Sequence, residues 1–140
     1  MYFIYMSSLV DVYDGILKYN NKDIVIVIDK YSNIWFYGKQ IADILEYKNS
    51  RLTIIQKVRE YNKTTYGEIK EYSKYKYNIQ DHAIFINESG LYQLILRSKM
   101  RNAIKFQDWI VGEVIPTIRN FGKYEMNEII KKDMEKLNRH

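Results

Sequence analysis

The chain alternates short apolar runs with polar breaks, and its first clear pattern is that of a β-hairpin. Residues 23–30 read DIVIVIDK, in which β-branched residues follow one another, as is typical of strands. A turn candidate at residues 31–33 (YSN) precedes residues 34–37 (IWFY), which supply the second strand. A further short strand is predicted at residues 83–86. For residues 1–18, where apolar positions have mixed spacing, a strand, a helix and a tail all stay open.

After the hairpin, the apolar period changes to that of a helix. Residues 41–45 (IADIL) place apolar side chains at i, i+1, i+3 and i+4, which predicts a first short helix. The polar break at residues 47–50 (YKNS) puts Asn49 or Ser50 where a residue caps the start of a second helix. The positions expected to form the buried face of that second helix are Leu52, Ile55 and Val58.

Two short helices joined by a tight turn are the arrangement of a helix-turn-helix. Ala42 supplies the small residue that such a pair needs where its helices cross, and Ile55 supplies the apolar anchor on the second helix. The positions then expected to face outward, with side chains that can hydrogen-bond base edges or phosphates, are Arg51, Thr53, Gln56 and Lys57. An ordinary helical hairpin with a solvated face is the alternative.

One polar segment and two more helices follow. Residues 59–81 are rich in tyrosine and lysine and are predicted to form a long loop or a mobile β-arm. Asn87 is placed to cap a helix. The next helix starts at Ala103, is expected to break or kink at Pro116, and is expected to end at Gly122. Its buried stripe is predicted to be Ile104, Phe106, Trp109, Ile110, Val114 and Ile118.

These patterns predict an α+β fold: a small β-hairpin or antiparallel sheet packed with short helices, including the helix-turn-helix-like pair, plus a C-terminal helix. The predicted organisation is an N-terminal extension (1–21), a domain (22–124) and a helical tail (125–140). The tail carries one apolar stripe, which is expected to dock on its own domain or to form a homodimer with a second copy. That stripe is Met126, Ile130, Met134 and Leu137.

Composition limits the chemistry. The 140 residues include no cysteine and only two histidines, His82 and His140, which excludes disulfides and thiolate metal sites. Ser89 lies in NESG and not in a nucleophile elbow, and no glycine-rich phosphate loop occurs. We therefore expect a protein that is not an enzyme and that has neither a cofactor nor a metal. Apolar runs are too short to span a membrane, and no secretory leader is recognisable, which predicts an intracellular protein.

Positive charge is concentrated in two segments. The net charge is +5, and residues 39–63 hold six basic residues against three acidic ones. Residues 97–105 hold four basic residues and no acidic one. Such clusters bind phosphates with release of counterions, so double-stranded DNA is the expected partner. The predicted nucleic-acid-binding residues are Lys39, Lys48, Arg51, Thr53, Gln56, Lys57, Arg59, Arg97, Lys99, Arg101 and Lys105.

Tyrosines interleaved with lysines offer a second interpretation. Aromatic side chains stack on unpaired bases while lysines follow the backbone, so single-stranded nucleic acid is an alternative partner. The tyrosines concerned are Tyr61, Tyr66, Tyr72, Tyr75 and Tyr77, although fourteen tyrosines in the chain indicate a compositional bias that explains most of the pattern.

Three segments, in this order, resemble a known family: residues 35–47 (WFYGKQIADILEY), 86–98 (INESGLYQLILRS) and 103–124 (AIKFQDWIVGEVIPTIRNFGKY). The resemblance is to the Bro-N domain of baculovirus repeated-open-reading-frame proteins, related proteins of large DNA viruses, and phage antirepressors. It covers roughly residues 22–124.

The resemblance implies an α+β DNA-binding domain with little sequence preference that acts in viral or phage gene regulation. It also implies an alternative, in which an antirepressor of this kind binds a repressor or another host protein. The implied location is the cytoplasm or nucleus of an infected cell.

Overall fold

The computed structural model describes residues 15–138, and for residues 121–129 and 138 it describes the backbone only. The chain divides into two compact units between Lys105 and Phe106. The first unit contains the sheet and every residue predicted to bind nucleic acid.

The first unit is built on an antiparallel sheet of five strands in the order β1-β2-β3-β5-β4. The hairpin prediction is confirmed, since Ile26 lies opposite Phe36 and Val27 opposite Trp35 in β2 and β3. Asp29 closes the turn by accepting hydrogen bonds from the Tyr31 and Asn33 backbone N–H groups. The strands are β1 Ile16–Tyr19, β2 Lys22–Ile28, β3 Ile34–Tyr37, β4 Lys63–Thr65 and β5 Ile84–Ile86.

Six α-helices accompany the described sheet, so the predicted α+β class is confirmed. Asn87 caps α4 as predicted, because its side chain accepts a hydrogen bond from the Gly90 N–H at 2.9 Å. The helices are α1 Gly38–Ile44, α2 Ser50–Lys57, α3 Tyr66–Ile69, α4 Glu88–Leu96, α5 Ala103–Trp109 and α6 Ile115–Asn138.

Both faces of the sheet are covered, which explains the unbroken apolar run of β2. On one face, α1 and α4 pack against the sheet, where Phe36 and Ile86 are fully buried. On the other face, Phe85 stacks between the rings of Tyr37 and Tyr66, with centroid distances of 5.2 and 5.5 Å. Strands buried on both sides need apolar residues at successive positions and not in alternation.

The prediction of a loop over residues 59–81 was wrong for its first half. Residues 60–72 contain two 3₁₀ turns (Glu60–Asn62 and Lys70–Tyr72), β4 and α3. Tyr66 is 3% exposed, and Tyr72 and Tyr77 pack against the same cluster. Aromatic rings here complete a core, which a search for apolar aliphatic periodicity does not detect.

In the second unit the helix continues where the sequence predicted interruptions. A π-helical segment, Ile110–Val114, joins α5 to α6, and α6 runs through both Pro116 and Gly122. The predicted C-cap at Gly122 was therefore wrong, and the irregularity expected at Pro116 lies just before it. Thr117, the residue after Pro116, donates its hydroxyl hydrogen to the Glu113 carbonyl at 2.6 Å.

Most of the predicted stripe is buried or half-buried, but Ile104 is 71% exposed, which corrects that position. On α6, Ile130, Met134 and Leu137 are exposed, whereas the Met126 side chain lies outside the described residues. The helix crosses residue 124 without a break. Residues 1–14 of the predicted extension also lie outside the described range, and residues 16–19 form β1.

Candidate nucleic-acid interface

The helix pair α1–α2 has the two helices and short turn that the sequence predicted. Glu46 takes a left-handed conformation after α1, with φ of 64°, and Asn49 caps α2 by accepting a hydrogen bond from the Leu52 N–H at 3.2 Å. Ala42 is fully buried, as expected for a small residue between packed elements.

Val58, which follows α2, is buried as predicted, but within α2 the buried position is shifted by one residue from the prediction. Ile54 and Val58 are 2% and 3% exposed, whereas Leu52 and Ile55 are 47% and 49% exposed. Gly38 accommodates Ile54 at this position, because a Cβ on residue 38 would lie 2.8 Å from Ile54 Cδ1. The anchor is Ile54 and not Ile55, and two aliphatic side chains face solvent.

The outward-facing prediction for α2 holds in part. Arg51 and Gln56 are exposed, whereas Thr53 and Lys57 are half-buried. The one-residue change of register rotates the helix by about 100°, which moves these two side chains to the edges of the exposed face.

Four cations from the two basic segments line one cleft of about 360 Å³. Its other lining residues include Tyr47, Met100 and one acidic residue, Glu46. The four cations are Lys48, Lys57, Arg97 and Lys99. We call this site the cationic cleft.

Hydrogen bonds tie the α1–α2 turn to the last turn of α4 and to the segment after it, and so bring the two basic segments together. The Tyr47 hydroxyl donates to the Leu94 carbonyl at 2.8 Å. The Ser98 hydroxyl donates to the Leu45 carbonyl at 3.2 Å and accepts from the Met100 N–H at 3.1 Å. The sequence predicted neither role, because the Tyr47–Leu94 and Ser98–Leu45 contacts join residues far apart in the chain.

Tyr47 also forms part of the electrostatics of the cationic cleft. Lys57 Nζ lies 5.8 Å from the centroid of its ring, within the range of a cation–π contact. Burial raises the pKa of the Tyr47 hydroxyl, and the positive charge of Arg97 opposes this shift. The phenol therefore stays protonated at neutral pH and keeps donating its hydrogen bond.

A second cleft, of about 660 Å³, lies at the N-terminal end of α2. Lys39, Lys48 and Arg51 line it, so Lys48 borders both clefts. Asp43, which also lines it, pairs with Lys39 at 3.2 Å and accepts a hydrogen bond from the Ser50 hydroxyl. Arg51 reaches the His82 carbonyl at 3.5 Å. We call this site the α2 N-terminal cleft.

The remaining predicted residues line neither of these two clefts. Arg101 and Lys105 are exposed. Arg59 hydrogen-bonds the Tyr61 hydroxyl at 2.9 Å, and its backbone N–H donates to Gln93 Oε1 at 3.2 Å. These residues, together with Thr53 and Gln56, stay predictions as nucleic-acid contacts.

Asn62 is a buried polar residue that holds this region together. Its amide donates to Gln93 Oε1 and its carbonyl oxygen accepts from the Asn87 side chain, both at 3.2 Å. The Asn87 backbone N–H donates to the Asn62 backbone carbonyl at 3.1 Å. Because buried amides are stabilising when they are fully hydrogen-bonded, this network fixes the start of α4 to the turn after α2.

Among residues 15–138, no group of three His, Asp or Glu side chains is arranged to hold a metal ion. No helix within that range is both long and apolar enough to cross a bilayer.

Several proteins are similar to this chain. An uncharacterized protein of Haemophilus influenzae is 34% identical over 110 residues, covering 77% of this chain and 52% of its own length. The putative Bro-N domain-containing protein 019R of Invertebrate iridescent virus 3 is 32% identical, covering 74% and 29%. The Bro-N domain-containing protein L2 of Acanthamoeba polyphaga mimivirus is 30% identical, covering 86% and 52%. The chain thus spans about half or less of the length of these relatives.

No solved structure gives a significant match. The family described as "BRO family, N-terminal domain" matches residues 23–116, a range that includes the sheet from β2 onward, the α1–α2 pair and both clefts. This match covers well over half of the chain and agrees with the resemblance of residues 35–47 and 86–98. The chain therefore belongs to the Bro-N family.

Proposed function

We propose that this domain is a non-enzymatic regulatory module that binds the phosphate backbone of double-stranded DNA through the cationic cleft. The observation that carries the proposal is the convergence of Lys48 and Lys57 with Arg97 and Lys99. Cations from two separate segments meet at one cleft, where the only acidic lining residue is Glu46. Several phosphates of one strand can contact such a surface together.

Gln56 gives α2 a limited means of reading sequence. Its side chain is exposed on the helix that adjoins the cleft, and glutamine forms paired hydrogen bonds with adenine in the major groove. One such residue beside several phosphate contacts supports binding with weak sequence preference.

The size of the phosphate contribution follows from the number of cations. Each neutralised phosphate contributes about 0.9 to the logarithmic salt slope, so four contacts predict a slope of about 3.6 and a loss of roughly 150-fold in affinity between about 50 and 200 mM salt. Fluorescence anisotropy of a labelled duplex over this range measures the slope directly.

A matched pair of double variants tests the site. Arg97→Ala with Lys99→Ala should lower the salt slope by about 2 and weaken binding at low salt. Lys22→Ala with Lys76→Ala removes the same charge at exposed positions outside the cleft and should leave the slope nearly unchanged. Equal slopes for the two double variants, or duplex affinity that does not depend on salt, would contradict the proposal.

A second candidate function is recognition of a protein, such as a repressor, as in antirepressors. The favouring observation is the exposure of Leu52 and Ile55 on α2, with Tyr61 71% exposed and Arg59 beside it. Exposed apolar, aromatic and arginine side chains are typical of protein interfaces.

The salt dependence of binding distinguishes the two candidate functions. Leu52→Ser with Ile55→Ser should abolish capture of a partner protein that survives high salt and nuclease, while the salt slope for duplex DNA stays the same. If no nuclease-resistant partner is captured by the parent chain, the second candidate is wrong.

Two other partners stay predictions. For single-stranded nucleic acid, Tyr61 and Tyr75 are the exposed tyrosines of the polar segment, so Tyr75→Ala is the informative variant and should cost about 1–3 kcal/mol in single-strand binding. For a homodimer, the candidate contact residues are the exposed side chains of α6, Ile130, Met134 and Leu137. Analytical ultracentrifugation at several protein concentrations, with the parent chain and a Met134→Ser variant, measures dimer formation and its dependence on this face.

A further inference from the structure

We propose that the α2 N-terminal cleft binds a nucleoside 5′-phosphate, either as a free nucleotide or as the 5′-phosphorylated end of a DNA strand. This site differs from the cationic cleft, with which it shares only one lining residue, Lys48. The inference does not depend on duplex binding at the cationic cleft.

The charge of the cleft suits a phosphate monoester. Lys39, Lys48 and Arg51 contribute three positive charges and Asp43 one negative charge, which gives these four side chains a net charge of +2. A phosphate monoester carries about −1.5 to −2 at pH 7, whereas a backbone phosphodiester carries only −1. The match favours a terminal phosphate over an internal one.

Arg51 is the cation best placed to recognise the phosphate. It lies in the first turn of α2, whose amino end carries a partial positive charge, and its guanidinium is exposed. Its contact to the His82 carbonyl is long, at 3.5 Å, so phosphate binding requires no strong interaction to be broken. Guanidinium groups bind phosphate oxygens in a bidentate manner.

The other part of the lining suits a planar base. Tyr37, Ile54, Ile79 and Ala83 provide apolar surface. The Tyr37 ring is held by its stack on Phe85, with an interplanar angle of 7°, so an aromatic ring is fixed at the wall before any ligand binds. Fixed aromatic rings are the usual partners of nucleic-acid bases.

Amide side chains complete the recognition surface. Asn78 and Gln80 line the cleft near the apolar residues, and each supplies both donors and acceptors for the edge of a base. The volume of about 660 Å³ falls within the range of about 300–1,000 Å³ typical of small-molecule sites. The cleft thus combines cations, a fixed ring and amides, which together are the groups that a nucleotide requires.

Calorimetric titration with deoxyadenosine 5′-monophosphate, deoxyadenosine and inorganic phosphate tests the site. We expect the monophosphate to bind at least about tenfold more tightly than either fragment, since both halves of the cleft contribute. Arg51→Ala should remove about tenfold of the monophosphate affinity, and Arg51→Lys should restore only part of it. Lys22→Ala, which removes one exposed charge outside the cleft, is the matched control.

A second titration distinguishes the two sources of the nucleotide. A short duplex with 5′-phosphates is compared with the same duplex bearing 5′-hydroxyls. Preference for the phosphorylated duplex that Arg51→Ala abolishes assigns the cleft to strand ends, whereas monophosphate binding without that preference assigns it to free nucleotides.

Two outcomes would overturn the inference: no binding of the monophosphate by the parent chain, or equal binding of the monophosphate and inorganic phosphate. The Arg97→Ala, Lys99→Ala double variant should keep its nucleotide affinity. If nucleotide affinity is retained in this variant but duplex binding by the parent chain does not depend on salt, the proposed function is wrong and the nucleotide site is supported.

Discussion

Replacing each of two adjacent isoleucines on α2 by alanine measures which one anchors the helix. Ile54 is 2% exposed and Ile55 is 49% exposed. Both changes remove the same atoms from the same helix and raise helix propensity by the same few tenths of a kcal/mol. The difference between the two variants therefore reports burial alone.

The expected magnitudes follow from the packing of Ile54. Its Cδ1 atom fills the space left by the missing side chain of Gly38, so truncation leaves a cavity beside rigid backbone. A fully buried isoleucine truncated to alanine costs about 2–5 kcal/mol. For Ile55, half of whose surface already faces water, we expect less than about 1 kcal/mol.

Urea denaturation followed by far-UV circular dichroism gives both free energies of unfolding. Ile54→Ala should shift the midpoint strongly at an unchanged m-value, while Ile55→Ala should stay close to the parent. Comparable losses for the two variants, or a greater loss for Ile55→Ala, would refute this register and restore the one that the apolar pattern suggested.

Substitutions at three further positions, two of them with a control variant, test local features. Gly90→Ala should destabilise by about 1–2 kcal/mol, because a Cβ there would lie 3.0 Å from Val58 Cγ1 and 3.2 Å from a backbone oxygen. The control Gly112→Ala, whose Cβ would meet no described atom within 4 Å, should be neutral or stabilising in the same denaturation assay. Glu46→Gly should raise the free energy of unfolding by up to about 1 kcal/mol, because Glu46 has positive φ. Its control, Glu46→Gln, removes only the negative charge, so it should raise duplex affinity without raising stability. Asp29→Ala should cost about 1–3 kcal/mol at pH 7. Burial raises the pKa of Asp29, but hydrogen bonds from Trp35 and the turn outweigh it and hold that pKa below its usual value. This stabilisation is present above the unfolded pKa of about 3.9 and is lost as the pH falls through the folded value, so parent and variant should converge in acid.

Local signals in the sequence were enough for the elements whose determinants lie within a few residues. The β2–β3 hairpin, the cap Asn87 and a cap at Asn49 or Ser50 were predicted because strand propensity and capping act over short separations; the cap of α2 is Asn49. The segment around Tyr66 was missed for the opposite reason. Tyr66 is buried against Phe85, which lies nearly twenty residues later in the chain, so the contact that packs this segment is not local.

The candidate site shows the same difference between features set by nearby residues and features set by distant ones. Charge counts identified Lys48, Lys57, Arg97 and Lys99 as candidates, yet nothing in their spacing indicated that they line one cleft. Their convergence depends on the hydrogen bonds of Tyr47 and Ser98. The register of α2 was ambiguous for a related reason, since apolar residues at 54 and 55 fit a helical stripe equally well.

The π segment at Ile110–Val114 sets the phase of the long helix that follows it. Buried residues Phe106, Ile110, Val114 and Ile118 recur every four positions, and in a regular α-helix each such step overshoots a full turn by about 40°. A wider turn reduces this drift and keeps the apolar positions on a common face. Deleting one residue there would rotate the helix backbone that follows by about 100° relative to Phe106, so the length of this short segment determines the direction in which Ile130, Met134 and Leu137 face.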